Sequence, residues 1–130
     1  PAQSPARILV IDDEPAIREL LVEMLAPHQI DTAPGANEAL QHLQQDSYDL
    51  ILCDISMPGM SGIDFLKTLE SSNDRASENV IFLTGGAVTA KAAETLSKSR
   101  HPVITKPFRF DEVHEIVRQQ LAKRENENSD

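Results

Sequence analysis

Ile8–Pro15 reads ILVIDDEP, and this stretch decides the fold. From Arg7 to Ile11 the chain makes a short apolar run, as expected of a strand covered on both faces. Two acids, Asp12 and Asp13, close the run. Pro15 suits the first turn of a helix, where its missing N–H would have no partner anyway. Ile17, Leu20, Leu21, Met24 and Leu25 then follow the i, i+3, i+4, i+7, i+8 stripe of an amphipathic helix, which Pro27 ends. Strand, acidic turn and helix together make one β-α unit.

Working outward, the same unit repeats. Ile30 to Ala33 predicts a second strand, and Pro34-Gly35 turns into a helix carrying Ala39, Leu40 and Leu43. Asp49 to Cys53 is the third strand, followed by the Met57-Pro58-Gly59 loop and a helix from about Ile63 to Leu69. Val80 to Leu83 is the fourth, opening at Thr84-Gly85-Gly86 into an Ala-rich helix over roughly Thr89 to Ser99. Leu96 is that helix's only large apolar residue, so it is expected to pack least firmly. Pro102 to Thr105 is the fifth strand, and Val113, Ile116, Val117 and Leu121 mark the last helix. Five such units predict an α/β flavodoxin-like three-layer sandwich, with five helices and a five-stranded parallel sheet of order 2-1-3-4-5. Right-handed crossovers favour that order, and ligands then bind at the carboxyl ends of the strands. Residues 1–6 read as a linker, 7–122 as one domain, and 123–130 as a polar tail expected to fray.

Composition sets the outer limits. A chain of 130 residues has room for one core, and with four Phe, one Tyr and no Trp that core must be aliphatic. The single cysteine, Cys53, cannot form an internal disulfide, which fits a reducing compartment. It is expected to point away from Asp54 as a small core residue. No apolar run approaches the ~20 residues of a bilayer span, and the first residues lack the basic and apolar sections of a signal peptide. A cytoplasmic protein without membrane contact is the expectation. The net charge of −9 and twelve scattered basic residues argue against direct nucleic-acid binding. His28, His42, His101 and His114 are dispersed without ligand spacing and are expected to be surface or structural residues.

The chemically expressive residues all stand where strands end. Asp12 and Asp13 close the first strand, Asp54 the third, Thr84 the fourth and Lys106 the fifth. Each has an ordinary explanation by itself: helix-terminal acids, a turn aspartate, a β-favouring threonine, a solvated lysine. In a parallel sheet, however, these ends share one edge, and the joint placement is much harder to dismiss. Two carboxylates ~5 Å apart repel by about 3 kcal/mol at an effective dielectric of 20. Three acids on one edge therefore need a cation. Mg²⁺ fits, since it prefers carboxylate oxygens and recruits phosphate oxygens to complete its shell. Lys106 would add a fixed positive charge for an incoming phosphoryl group.

Four ordered motifs, ILVIDDEP (8–15), DLILCDISMPGMSG (49–62), IFLTG (81–85) and TKPF (105–108), resemble the receiver domain of two-component response regulators. The similarity runs from about Arg7 to Leu121. It implies that Asp54 is the phosphoacceptor, taking a phosphoryl group from a phosphohistidine on a histidine kinase or phosphotransfer domain. Asp13 would ligate Mg²⁺ directly, with Asp54 beside it, Asp12 placing a metal-bound water and Ser56 lending its backbone carbonyl. Thr84 would hydrogen-bond a phosphoryl oxygen, Lys106 would pair with the group, and Lys106-Pro107 would be a cis peptide. Such a domain is a signalling module rather than a turnover enzyme.

Two departures from the family stand out. Val103 occupies the place of the usual Tyr or Phe switch residue, so phosphorylation is expected to remodel the face of the fourth helix, fifth strand and fifth helix less than usual. Ser99-Arg100-His101-Pro102, with Thr84-Gly85-Gly86-Ala87, looks more like receivers fused to hybrid sensor histidine kinases, the main competitor being a free-standing single-domain regulator. Other classes fit less well. A haloacid-dehalogenase-type phosphatase needs Asp-x-Asp after its first strand, and here the acids are adjacent. Neither Gly-x-Gly-x-x-Gly nor Gly-Lys-Ser/Thr is present for a nucleotide- or flavin-binding domain. A degenerate receiver that only binds a partner would not be expected to keep Asp12, Asp13, Asp54, Thr84 and Lys106 together.

Overall fold

The structure is a computed structural model that describes residues 5–72, 75–86 and 90–127. Strands β1 (Arg7–Ile11), β2 (Gln29–Ala33), β3 (Leu50–Asp54), β4 (Val80–Thr84) and β5 (Val103–Thr105) alternate with helices α1 (Pro15–Leu25), α2 (Ala36–Gln45), α3 (Gly62–Ser71), α4 (Ala90–Lys98) and α5 (Phe110–Glu127). All strand pairs are parallel, and the order is β2-β1-β3-β4-β5, as the alternation of units predicts. A 3-10 helix over Arg75–Asn79 precedes β4; its polar sequence, RASEN, carries no apolar periodicity that would announce it.

Alternate residues of the central strands feed two separate cores. Leu9, Ile11, Ile51, Cys53, Val80 and Phe82 face α2 and α3, where Ala39, Phe65 and Leu69 meet them. Ile8, Val10, Leu50, Leu52, Ile81 and Leu83 face α1 and α5, where Leu21, Leu25, Val113 and Val117 meet them. β3 is buried at all five positions, the consequence of a central parallel strand covered on both sides. Each buried aliphatic side chain contributes about 1.5–3 kcal/mol. Cys53 lies in the core as expected, its thiol pushed up by burial and then by the neighbouring Asp54 charge.

Three expectations need correction. Leu20 is exposed, not core: it sits 100° round the helix from Leu21, at the margin of a stripe that Leu21, Met24 and Leu25 fill. The polar end of the chain is helical through Glu127, because Ala122, Lys123, Arg124 and Glu125 are strong helix formers that extend α5; 128–130 lie outside the described residues. The expected linker already ends in a packed residue, since Ala6 is buried; residues 1–4 lie outside the description. α4 behaves as its composition predicts and fully buries no residue, with Ala92, Thr95 and Leu96 partly covered. Thr89, its expected start, is outside the described residues.

His28 ties the α1–β2 corner to the first strand. Its Nδ1 accepts from the Ala6 N–H at 2.8 Å, and the ring is part-buried. Burial first, and then the nearby His114, hold its pKa below 6.5, with Asp49 opposing. His114 Nε2 in turn bonds the Met24 carbonyl. The unfolded chain therefore takes up this proton more readily, so stability intact above about pH 6.5 declines as pH falls below it. An NMR titration of the His28 ring should give a midpoint below 6.5; a midpoint above it would reverse the sign.

Candidate functional site

The carboxyl ends of β1, β3, β4 and β5 place the expected residues at one edge. Asp12 follows β1, whose last residue pairs with Cys53, so Asp12 and Asp54 stand side by side on neighbouring strands. One oxygen each from Asp12, Asp13 and Asp54 falls within a mutual 4.8 Å, with Asp12 and Asp54 buried and Asp13 exposed. Lys106 continues β5: its N–H donates to the Thr84 carbonyl at 2.7 Å, and its ammonium reaches across to Asp12 Oδ2 at 2.9 Å and Asp54 Oδ2 at 3.5 Å. The Ser56 N–H donates to Asp54 Oδ1 at 3.2 Å, holding the carboxylate from its other side. Thr84 ends β4, one residue beyond the Leu83 that pairs with Asp54.

Like charges crowd this edge. Burial, then the charge of Asp12, raises the Asp54 pKa, while Lys106 and the Ser56 N–H partly offset that rise. Burial works to lower the Lys106 pKa, but its hydrogen bond and charge contacts with Asp12, joined by Asp54, hold it above its ordinary value. One ammonium thus serves two buried carboxylates, with the exposed Asp13 beside them. Asp12 Oδ2, on a residue with no exposed surface, has the Lys106 ammonium at 2.9 Å, poorly aligned for a hydrogen bond, as its one polar partner among the described residues. A buried carboxylate oxygen left in that condition, beside two more carboxylates, is a donor set that fits a hard divalent cation.

Several supporting residues went unread in the sequence. Arg18, one turn into α1, donates from its guanidinium to the Asp12 carbonyl at 2.7 Å, and the Glu14 N–H caps Asp12 Oδ1 at 2.9 Å. Gly62 lets α3 dock against β3: a Cβ there would lie 2.4 Å from the Asp54 carbonyl oxygen. Gly85 leaves room for the lysine, since a Cβ would meet Lys106 Cδ at 3.0 Å. For Gly85 the signal was its place directly after Thr84; for Arg18 and Gly62 the need arises only in three dimensions. Lys106–Pro107 is cis, as the resemblance implies, and Ala26–Pro27 is cis as well. Val103 pairs with Phe82 on the edge strand and is exposed, three residues before the lysine that faces the acidic cluster and outside the cluster itself. Among the described residues no helix is long and apolar enough to cross a membrane.

Residues 8–118 match the family described as the response regulator receiver domain. The response regulator Rre1 of Synechocystis sp. is 33% identical over 124 residues, covering 93% of this chain and 54% of that protein. This chain spans about half the length of Rre1 and of similar curated regulators. A receiver domain of a putative Luxo repressor protein from Vibrio parahaemolyticus superposes with a TM-score of 0.84 at 22% identity, covering 96% of both chains, which is a likeness of fold. The receiver domain of a signal transduction histidine kinase from Syntrophus aciditrophicus gives 0.80 at 27% identity, covering 91% of each. With the sheet order, the acidic edge and a family match over most of its length, this chain belongs to the response regulator receiver domains of two-component signalling.

Proposed function

We propose that Asp54 is the phosphoacceptor of this receiver and takes its phosphoryl group from a phosphohistidine on a histidine kinase or phosphotransfer domain. The observation that carries the reading is the buried carboxylate held between the Ser56 N–H and the Lys106 ammonium, beside two further acids. In the transfer, an Asp54 carboxylate oxygen forms the new bond to phosphorus while the phosphorus–nitrogen bond breaks and the imidazole leaves with the electron pair. Lys106 is placed to balance the charge on the phosphoryl oxygens, and Thr84 at the end of β4 to donate to one of them. Asp12, Asp13 and Asp54 would hold Mg²⁺ with the Ser56 carbonyl, and the ion supplies charge neutralisation and alignment of the phosphoryl group when bound. Because the acceptor is fixed before the donor arrives, most of the protein's contribution is positioning.

The curated relatives are response regulators, which favours a regulator as the parent arrangement. The hybrid-kinase arrangement draws on Gly85-Gly86 and Ser99 to Pro102, and the Syntrophus kinase receiver is a parallel for it. Either parent uses this domain in the same way. Absence of a membrane-crossing helix among the described residues accords with a cytoplasmic setting. Incubation with acetyl phosphate and Mg²⁺ should add the mass of one phosphoryl group to the intact chain. A chelator or Asp54→Asn should abolish the gain; uptake unaffected by both would defeat the reading.

A further inference from the structure

This chain has 21 acidic residues against 12 basic ones. Of the described basic side chains that make no ion pair, Arg18 is held by the Asp12 carbonyl, which leaves Lys67, Lys91, Arg100 and Lys123. They fall into two pairs. Arg100 and Lys123 flank a cleft that also holds Glu70 and Glu78, so acids already accompany them. Lys67 on α3 and Lys91 on α4 line a different groove, of about 400 Å³, where the single acid is Asp64. The groove is locally basic in a molecule of net charge −9.

Beneath the two lysines lies an apolar floor. Ile55, Met57 and Ile63 form it, and Ala92 closes it from α4. That helix fully buries no residue, and Lys91, Ala92 and Thr95 of its length line the groove. Ile55, Ser56 and Met57 directly follow Asp54, and the Ser56 N–H is the one that holds Asp54 Oδ1. An apolar strip under two unpaired ammonium groups matches an amphipathic segment with carboxylates beside its apolar side chains. Two lysines are too few to hold a nucleic-acid backbone on so acidic a protein.

We propose that the α3–α4 groove is a docking site for an acidic amphipathic segment of a partner protein, seated on Ile55, Met57 and Ile63 and paired with Lys67 and Lys91. Occupancy is coupled to Asp54 through Ser56, a clause that rests on the phosphoacceptor reading above.

The test uses the full ¹⁵N-labelled chain and two synthetic helical peptides sharing one leucine stripe, with Glu or Lys at the remaining positions. The Glu peptide should bind at least about tenfold more tightly, two rim pairs together giving about 1.4 kcal/mol. Its amide shifts should centre on residues 55–57, 63–67 and 91–95. Lys67→Glu with Lys91→Glu should remove the preference while leaving the circular dichroism spectrum unchanged, and Lys91→Gln alone should give an intermediate loss. Equal binding of both peptides, shifts centred elsewhere, or indifference to the charge reversal would overturn the docking site. Repeating the titration after acetyl phosphate treatment, with the mass gain verified, should change the Glu-peptide affinity at least about fivefold. A verified mass gain with unchanged affinity removes the coupling clause. Failure to gain mass counts against the phosphoacceptor reading alone, because the docking site is judged on the untreated chain.

Discussion

Lys106→Met should cost about 3 kcal/mol of stability in the presence of chelator, a fall in melting temperature on the order of 10 °C for a domain of this size. The ammonium stands 2.9 Å from Asp12 and 3.5 Å from Asp54, both buried, so methionine keeps the aliphatic stem and removes the only ion-pair partner that either acid has among the described residues. Two carboxylates within 4.8 Å then face each other; at an effective dielectric of 20 their repulsion is about 3 kcal/mol. The full loss expected of a broken buried pair, up to about 5 kcal/mol, is not reached because Asp13 opens one side of the cluster to solvent. Millimolar Mg²⁺ should recover a large part of the loss, and should stabilise the variant more than the wild-type chain. A variant as stable as wild type in chelator would show that Lys106 does not balance these acids.

The second large effect is expected at Gly62. A Cβ there would lie 2.4 Å from the Asp54 carbonyl oxygen and 3.0 Å from Ile55 Cα, and both are backbone atoms that cannot swing aside. Gly62 also donates its N–H to the Ile55 carbonyl at 2.9 Å, so α3 is pinned against the end of β3. Gly62→Ala must push the two apart, at about 1–3 kcal/mol for an overpacked contact. Since Asp54 belongs to the displaced strand end, phosphoryl uptake from acetyl phosphate should also slow, by about a hundredfold for a shift near 1 Å. Gly86→Ala is the control, because a Cβ at Gly86 meets nothing within 4 Å. Equal stability and equal uptake for the two alanine variants would contradict this account of the α3 contact.

These two residues also mark the boundary of what sequence could reveal. Lys106 was legible because it follows a short apolar run, and in a parallel sheet the ends of such runs meet. The same rule found Asp12, Asp54 and Thr84, and it gave the strand order, because each step needed only local patterning and a right-handed crossover. Gly62 was not legible, since its requirement comes from a backbone oxygen eight residues earlier in the chain. Arg18 was hidden for a similar reason: an arginine one turn into a helix reads as surface until the turn after β1 brings the Asp12 carbonyl to it. Leu20 shows the converse error. A periodic stripe gives a helix's inward direction but not the width of the neighbour that covers it, and only Leu21, Met24 and Leu25 are fully covered. At the end of α5, polarity points to fraying while helix propensity governs, and the helix runs through Glu127.

Whether Asp54 is the residue esterified is tested most directly by trapping. After incubation with acetyl phosphate and Mg²⁺, borohydride reduces an aspartyl phosphate to homoserine, which tandem mass spectrometry can place in the sequence. Homoserine at position 54, absent when chelator is present, is the expected result. Homoserine at another aspartate, or none in a chain that has gained the mass of a phosphoryl group, would contradict it.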